Sequence, residues 1–348
     1  MVEGSIRTRQ VHLVARPEAR PHPGHFRIVD IDLPPLGDGQ VLVENLYMSI
    51  DPYMRRSMDA EAKDLEPWPI GGPLNGPSIG RVLASRHAGF APGDIVESMS
   101  GWQTHFISNG EPFVPYLSSD TAIARRRVGG GVEPRDYLGL LGIASQTGYF
   151  ALTCAATMRA GQTIVISSGA GTVGSVACQI AKLNGMRVVT SAGSADKIRW
   201  LLDEIGVDAA LDYKSPGFAA ELRAACPDGI DLLLENASPE HFSACLPLMN
   251  TNALMLIAGF ISIYTGDGKA RIENFEYVLD RFLTIKCFAF MEYLNAFDRF
   301  VTDMTAWRRD GRIHFRERIY DGLERAPEAL CALFDGTVTG KPLVRIAG

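Results

Sequence analysis

The chain has 348 residues, enough for two domains that each bury a core. Hydrophobic residues make up 46% and charged residues 21%, the ordinary balance of a globular protein. A net charge of −6 gives no basic footprint for nucleic acid, and no apolar stretch approaches the ~20 residues that span a membrane.

Met1 to Arg9 carry charges and no apolar segment, so no signal peptide is expected. Up to Asp136 the chain reads as β-rich. Gln40–Tyr47 alternates apolar and polar residues as a half-buried strand does, and Gly80–Ser85 and Asp94–Ser98 are short strands set off by turns such as Pro92-Gly93. The basic run Arg125-Arg126-Arg127, beside Gly129-Gly130-Gly131, is expected to be a solvated loop. From Asp136 the texture changes to apolar runs separated by helical patterns, the mark of βαβ units on a parallel sheet. Strands are expected at Thr163–Ser167, Arg187–Thr190, Ala209–Asp212, Ile230–Leu234, Ala253–Ala258 and Thr284–Phe288, with helices between most of them, including Ala195–Gly206 and Phe218–Ala225. Six such strands make a complete doubly wound α/β domain. From about Ile313 strand-like pieces return, at Arg316–Tyr320 and Leu343–Ile346, and are expected to fold back onto the N-terminal domain. Cys154, Cys178, Cys226, Cys245, Cys287 and Cys331 are scattered without a CxxC, which points to free thiols in a reducing cytoplasm.

The most informative stretch is Gly169-Ala170-Gly171-Thr172-Val173-Gly174. It follows the apolar run Thr163–Ser167 and leads into Ser175–Lys182, which has helical apolar spacing. Strand, glycine turn and helix start together form a dinucleotide-binding fingerprint. The first glycine permits the tight turn, the second lets backbone approach the pyrophosphate, and the third packs helix on strand. The pyrophosphate then meets the unpaired N–H groups at the positive end of the helix dipole.

An NAD site usually carries an acid about 20 residues beyond the first glycine, for the ribose 2′-hydroxyl. Here that count lands on Val189-Thr190-Ser191, and the missing carboxylate opens the site to NADPH. Gly193 and Ser194 offer an exposed turn, and Lys197 one helical turn on supplies a point charge for the 2′-phosphate. Tyr213, past the third strand, is placed to cover the same pocket.

The residues resemble the zinc-free branch of the medium-chain dehydrogenase/reductases, which holds leukotriene hydroxydehydrogenase/prostaglandin reductase, curcumin reductase and plant double-bond reductases. The similarity runs nearly end to end. Ser49-Ile50-Asp51-Pro52-Tyr53-Met54-Arg55 is similar to that family's SxDPYMR, and Gly101-Trp102 to its GW element. Leu138–Gly142 with Thr147–Phe150 resembles its LGxLG…TAYFGL, Gly259–Tyr264 its CGxISxYN, and Gly322–Ala329 its GLENAPEA. The resemblance implies a GroES-like domain made from both chain ends (1–138 and 312–348), a Rossmann domain at 139–311, a cleft between them and a homodimer formed through the nucleotide domains. It also implies NADPH-dependent reduction of the C=C bond of α,β-unsaturated ketones and aldehydes.

Zinc members of the superfamily need a Cys and a His-Glu pair in the N-terminal domain. The matching stretches here read Ser49–Pro52 and Gly76–Gly80, without thiolate or imidazole, so no metal is expected. Carbonyl polarisation must then come from hydrogen bonds aimed at the developing enolate oxygen. By the resemblance Tyr264 is the first candidate for that donor and Tyr53 the second; a phenol with its pKa near 10 keeps its proton at neutral pH. The same carry-over puts Gly171, Thr172 and Val173 on the pyrophosphate, Asn236 on the cofactor, and Phe288 and Phe290 beside the nicotinamide and substrate.

The chain leaves the family pattern at Gly142–Gln146, at Ala237-Ser238-Pro239, at Thr265 and at Val338. Ala124–Asp136 is longer than the family's stretch. These changes suggest an atypical substrate. They also leave two alternatives open, a zinc-free quinone or carbonyl reductase and a weakly catalytic NADPH-binding protein.

Overall fold

The structure, a computed structural model, describes residues 6–62, 65–266 and 268–347. The chain divides into two compact units, Met1–Gly142 with Glu317–Gly348, and Ile143–Arg316. Both joins lie a few residues beyond the expected ones. Leu138 and Leu141 bond back to Arg135 and Asp136 and so stay with the first unit. At the other join, Gln179 holds the backbone of His314 through its side-chain amide at 2.6 and 3.0 Å, which keeps that segment with the second.

The first segment contributes β1 (Ile6–Leu13), β2 (Phe26–Leu33), β3 (Val41–Ser49), β4 (Ser78–Ser85), β5 (Ile95–Ser98), β6 (His105–Ser108) and β7 (Ala124–Arg125). The middle of the chain supplies β8 (Thr163–Ile166), β9 (Arg187–Ala192), β10 (Ala209–Asp212), β11 (Ile230–Glu235), β12 (Met249–Ile257) and β13 (Thr284–Cys287). The end adds β14 (Glu317–Asp321) and β15 (Lys341–Arg345).

In the first unit β1 and β2 form an antiparallel pair, and a seven-stranded sheet runs β14-β15-β3-β4-β5-β7 with β6 also on β3. The C-terminal strand β15 pairs antiparallel with β3, Val344 opposite Met48, so the chain end does return to the N-terminal unit. Its core gathers Met48, Met54, Trp68, Trp102, Leu330 and Val344, all buried. The hairpin β1–β2 is not marked by apolar alternation. Thr8, Gln10 and His12 all turn inward, where Gln10 and Gln103 bond at 2.8 Å and His12 meets Gln10 at 2.9 Å.

Of the basic run, Arg125 and Arg127 are exposed as expected, but the run starts on a strand and Arg126 is drawn inward. Arg125 belongs to β7, opposite Val96 of β5, and Arg126 bonds Glu97 at 2.6 Å, with both side chains largely out of water. Glu97 is buried on β5 and needs a cation, which outweighs the tendency of three adjacent arginines to stay solvated.

The second unit is a six-stranded parallel sheet in the order β10-β9-β8-β11-β12-β13, that is 3-2-1-4-5-6 within the unit. All four residues of β8 are buried, as expected of a central strand covered on both faces. Val165, Val189, Leu233 and Met255 form one core with Phe242 and Leu246. Each such side chain contributes about 1.5–3 kcal/mol relative to exposure. The helix Thr172–Leu183 begins directly after the glycine turn and is buried along most of its length. The expected helix Ala195–Gly206 is α-helical only to Trp200. A wider turn at Leu201–Ile205 follows and closes at Gly206, whose φ of 72° suits glycine.

Candidate functional site

The parallel sheet sets the location of the site. The glycine turn follows β8, Gly193 and Ser194 follow β9, Tyr213 follows β10, Asn236 follows β11, Tyr264 follows β12 and Phe288 follows β13. All lie beyond carboxyl ends of strands, where ligands bind in open α/β sheets.

The turn after β8 is shaped for an anion. Ser168 has a φ of 52°, a left-handed conformation that costs a non-glycine residue energy and is typical of ligand loops. A Cβ at Gly169 would strike the Thr190 side chain, and one at Gly174 would strike the Ser168 carbonyl, so neither position accepts a side chain. Gly171 precedes the helix without a side-chain cap. The first intrahelical bond runs from Ser175 N to Gly171 O at 2.9 Å, leaving the N–H groups of Thr172, Val173 and Gly174 ahead of it. Unfilled donors at a helix start fit a pyrophosphate.

Asn236 is fastened to the neighbouring strand end. Its backbone N–H donates to Ser167 Oγ at 2.8 Å and its side-chain amide to Ser167 O at 2.7 Å. The amide oxygen takes no part in these two bonds.

At the other end, Ser194 caps the helix Ala195–Trp200, its Oγ accepting from Lys197 N at 3.5 Å. Tyr213 packs over Gly193, where an added Cβ would stand 2.9 Å from the ring. Lys214 was not singled out from the sequence. Its ammonium donates to Gly193 O at 3.0 Å and lies 5.7 Å from the Tyr213 ring centroid. Burial, and then the Lys214 charge, lower the Lys197 pKa. An ammonium that feels a second one this closely suits a dianionic phosphate between or beside them. The directly adjacent Tyr213-Lys214 was the available signal, since the residue after a pocket-covering aromatic shares its turn.

Tyr264 lies in the 3-10 turn Ile261–Thr265 and is half-buried. A Cβ on Gly259 would sit 3.5 Å from its hydroxyl, so the phenol lies over the backbone that leaves β12. Phe288 and Phe290 are 8% and 7% exposed. Among the sites expected in this unit, the turn glycines, Asn236 and Tyr264 share the strand ends with the Gly193–Tyr213 cluster.

Tyr53 belongs to the other unit, at the start of the short helix Tyr53–Ser57, with its ring edge-on to Tyr116 at 5.1 Å. Burial, then Tyr116 and Asp51, push its phenol well above the usual 10, so it stays a proton donor. The preceding loop is fixed by Lys341, which donates to Asp51 at 2.5 Å and to Ile50 O at 3.2 Å, while Ser49 Oγ donates to the other Asp51 oxygen.

Residues 9–115 match the family described as N-terminal domain of oxidoreductase, and residues 172–306 the family described as zinc-binding dehydrogenase. The NADPH-dependent curcumin reductase of Escherichia coli (strain K12) is 36% identical, over 98% of this chain and 98% of its own. Prostaglandin reductase 1 of Bos taurus is 33% identical, over 99% of this chain and 100% of its own. Among solved structures, CurA in complex with NADPH from Vibrio vulnificus covers 98% of this chain and 99% of its own, at 32% identity and a TM-score of 0.89.

Zinc, which the second description names, does not fit the donors here. At Ser49–Asp51 the hydroxyl and carboxylate are engaged with each other and with an ammonium, and Ser78 Oγ bonds Ser98 Oγ at 2.8 Å. Neither stretch carries the thiolate or imidazole that a tetrahedral zinc takes. Among the described residues no group of three or more His, Cys, Asp and Glu could hold a metal ion.

Proposed function

The chain belongs to the zinc-free double-bond reductases of the medium-chain dehydrogenase/reductase family, NADPH-dependent oxidoreductases acting on C=C bonds, and from that premise we propose that it reduces α,β-unsaturated ketones and aldehydes with a tyrosine as hydrogen-bond donor to the enolate oxygen. The observation that carries the reading is the placement of Tyr264, Asn236 and the uncapped glycine turn together beyond the carboxyl ends of β12, β11 and β8.

The bound dinucleotide supplies the hydride that adds to the β-carbon of the enone. The chain's own residues do the rest. Thr172, Val173 and Gly174 present N–H groups to the pyrophosphate, and Lys197, Lys214, Ser194 and Tyr213 gather at the 2′-phosphate. Asn236, held by Ser167, presents its amide oxygen to the nicotinamide end. As negative charge develops on the carbonyl oxygen, the Tyr264 phenol donates a hydrogen bond to it, an effect typically worth ~10²–10⁴-fold in rate. Tyr53, whose proton is held by burial, is the second candidate for that donor. A proton taken from solvent by the α-carbon of the enolate completes the reduction.

The exposed edge strand β13, beside Leu279 (77% exposed) and Phe282 (71%), supports a homodimer through the nucleotide-binding unit. All six cysteines are free, which favours a reducing compartment, the cytoplasm. Among the described residues no helix is long and apolar enough to cross a membrane.

The proposal is tested by mixing the protein with NADPH and a panel of enones, saturated ketones and quinones, with products identified by mass. A saturated ketone from an enone supports it. Turnover confined to quinones or to carbonyl groups sinks it, and so does NADPH binding without turnover of any panel member.

A further inference from the structure

Behind the Asn236 turn lies a buried ionisable pair that the scheme above does not use. Glu235, the last residue of β11, is fully buried, and one of its carboxylate oxygens accepts from Ala237 N at 2.7 Å and Ser238 N at 3.0 Å. The other faces His241 Nδ1 at 2.7 Å. His241 is 5% exposed, on the helix Pro239–Cys245, with the Phe218 ring 5.5 Å away centroid to centroid. Its own backbone N–H donates to Ser238 Oγ at 3.1 Å, so His241 reaches this short turn from both its ring and its backbone. Burial pulls the imidazole pKa down, but the Glu235 carboxylate and Cys245 outweigh it and hold the ring well above its usual 6.5.

The turn leads on to the tyrosine. Ala237 O accepts from Ser262 N at 3.0 Å, and Ser262 is part of Ile261–Thr265, the turn that carries Tyr264. The Glu235 carbonyl accepts from Ala258 N at 2.8 Å and from Gly259 N at 3.4 Å, the backbone over which the Tyr264 hydroxyl lies. A carboxylate buried this deeply is stable only with its donors in place. Any rotation of it moves the Ala237–Ser238 peptide, whose N–H it accepts from and whose carbonyl is the acceptor of Ser262.

We infer that the Glu235–His241 pair is a positioning device for Tyr264. His241 holds the Glu235 carboxylate in the orientation that fixes the Ala237–Ser238 peptide through the Ser238 N–H, and the carbonyl of that same peptide carries the tyrosine turn. This rests on the reading that Tyr264 donates to substrate, and it assigns a role to two residues that touch neither substrate nor cofactor.

Two variants separate positioning from space-filling. His241→Leu keeps apolar bulk and loses the donor, whereas His241→Asn keeps a donor near the Nδ1 position and loses bulk. Positioning predicts that the Leu variant loses about tenfold or more in kcat on an enone with NADPH affinity within about twofold, and that the Asn variant stays within about threefold of the parent. The reverse order means the ring merely fills space and overturns the inference. In a Tyr264→Phe background the Leu substitution should cost less than about twofold; an equal cost in both backgrounds also overturns it.

Hydrogen exchange of segment 258–266 gives a readout independent of turnover. The Leu variant should exchange about tenfold faster there than the parent, and the Asn variant should not; unchanged exchange in the Leu variant contradicts the inference. If Tyr264→Phe alone is fully active, the donor reading fails, while the exchange result still decides the positioning. Should the Leu variant not fold, the Asn variant decides: protection within about threefold of the parent supports the pairing, and a tenfold loss overturns it.

Discussion

Asn236 and Ser167 are bonded twice, backbone N–H to hydroxyl at 2.8 Å and side-chain amide to carbonyl at 2.7 Å, so the ends of β8 and β11 are tied beside the glycine turn. Replacing Asn236 by Asp puts a carboxylate oxygen against the Ser167 carbonyl, exchanging attraction for repulsion. The loss of one such bond with its partner left buried costs about 1–3 kcal/mol. Asn236→Asp should therefore weaken NADPH binding by about tenfold or more in a fluorescence titration and lower the melting temperature. Full affinity in this variant would mean the amide does not face the cofactor.

Lys197 and Lys214 should act together on the 2′-phosphate. Either one replaced by Ala is expected to weaken NADPH by about tenfold while leaving NADH within about twofold, read from paired titrations. Equal weakening of both dinucleotides would place the two lysines elsewhere.

The same pair predicts a pH dependence with a definite sign. Burial and the Lys214 charge lower the Lys197 pKa, so its positive charge is lost at a lower pH than an ordinary lysine's. The preference for NADPH over NADH should be full near neutral pH and decline as the pH rises, at a lower pH than the titration of an ordinary lysine would give. A Lys197→Arg variant, charged throughout that rise, should show a flat profile.

Tyr264→Phe should lower kcat on an enone at least ~10-fold with little change in NADPH affinity, because the phenol acts only when charge develops on the carbonyl oxygen. Unchanged turnover shifts the role to Tyr53, whose Phe variant is the matched control.

At the sheet edge, Leu279→Asp with Phe282→Asp places charges on the exposed face beside β13. Sedimentation of this double variant should report a monomer and that of the parent a dimer. A parent that sediments as a monomer removes the dimer from the account.

The parallel sheet and the glycine turn were legible because buried central strands read as continuous apolar runs and the turn needs glycine at fixed positions. The hairpin β1–β2 was not, because its inward face carries Thr8, Gln10 and His12: Thr8 bonds His105 O and Gln10 bonds Gln103, both far along the chain, and His12 rests on Gln10. Arg126 looked like part of a solvated basic run for a similar reason: its partner Glu97 becomes a neighbour only once β5 and β7 pair. In the site, Lys197 was visible as a charge one turn into a helix. Lys214 was signalled only by its place directly after Tyr213; its contact with Gly193 follows from the register that sets Asp212 beside Ala192. The Glu235–His241 pair is close in sequence, yet its meaning depends on Ser262, which reaches Ala237 from the turn that follows the next strand.

The most direct measurement of the central claim is reduction of an enone with NADPH carrying deuterium at the transferred position of the nicotinamide, with the product read by mass and NMR. The account predicts a saturated ketone with one deuterium on the β-carbon and a solvent proton on the α-carbon. Deuterium on the carbonyl carbon, giving an allylic alcohol, would contradict it.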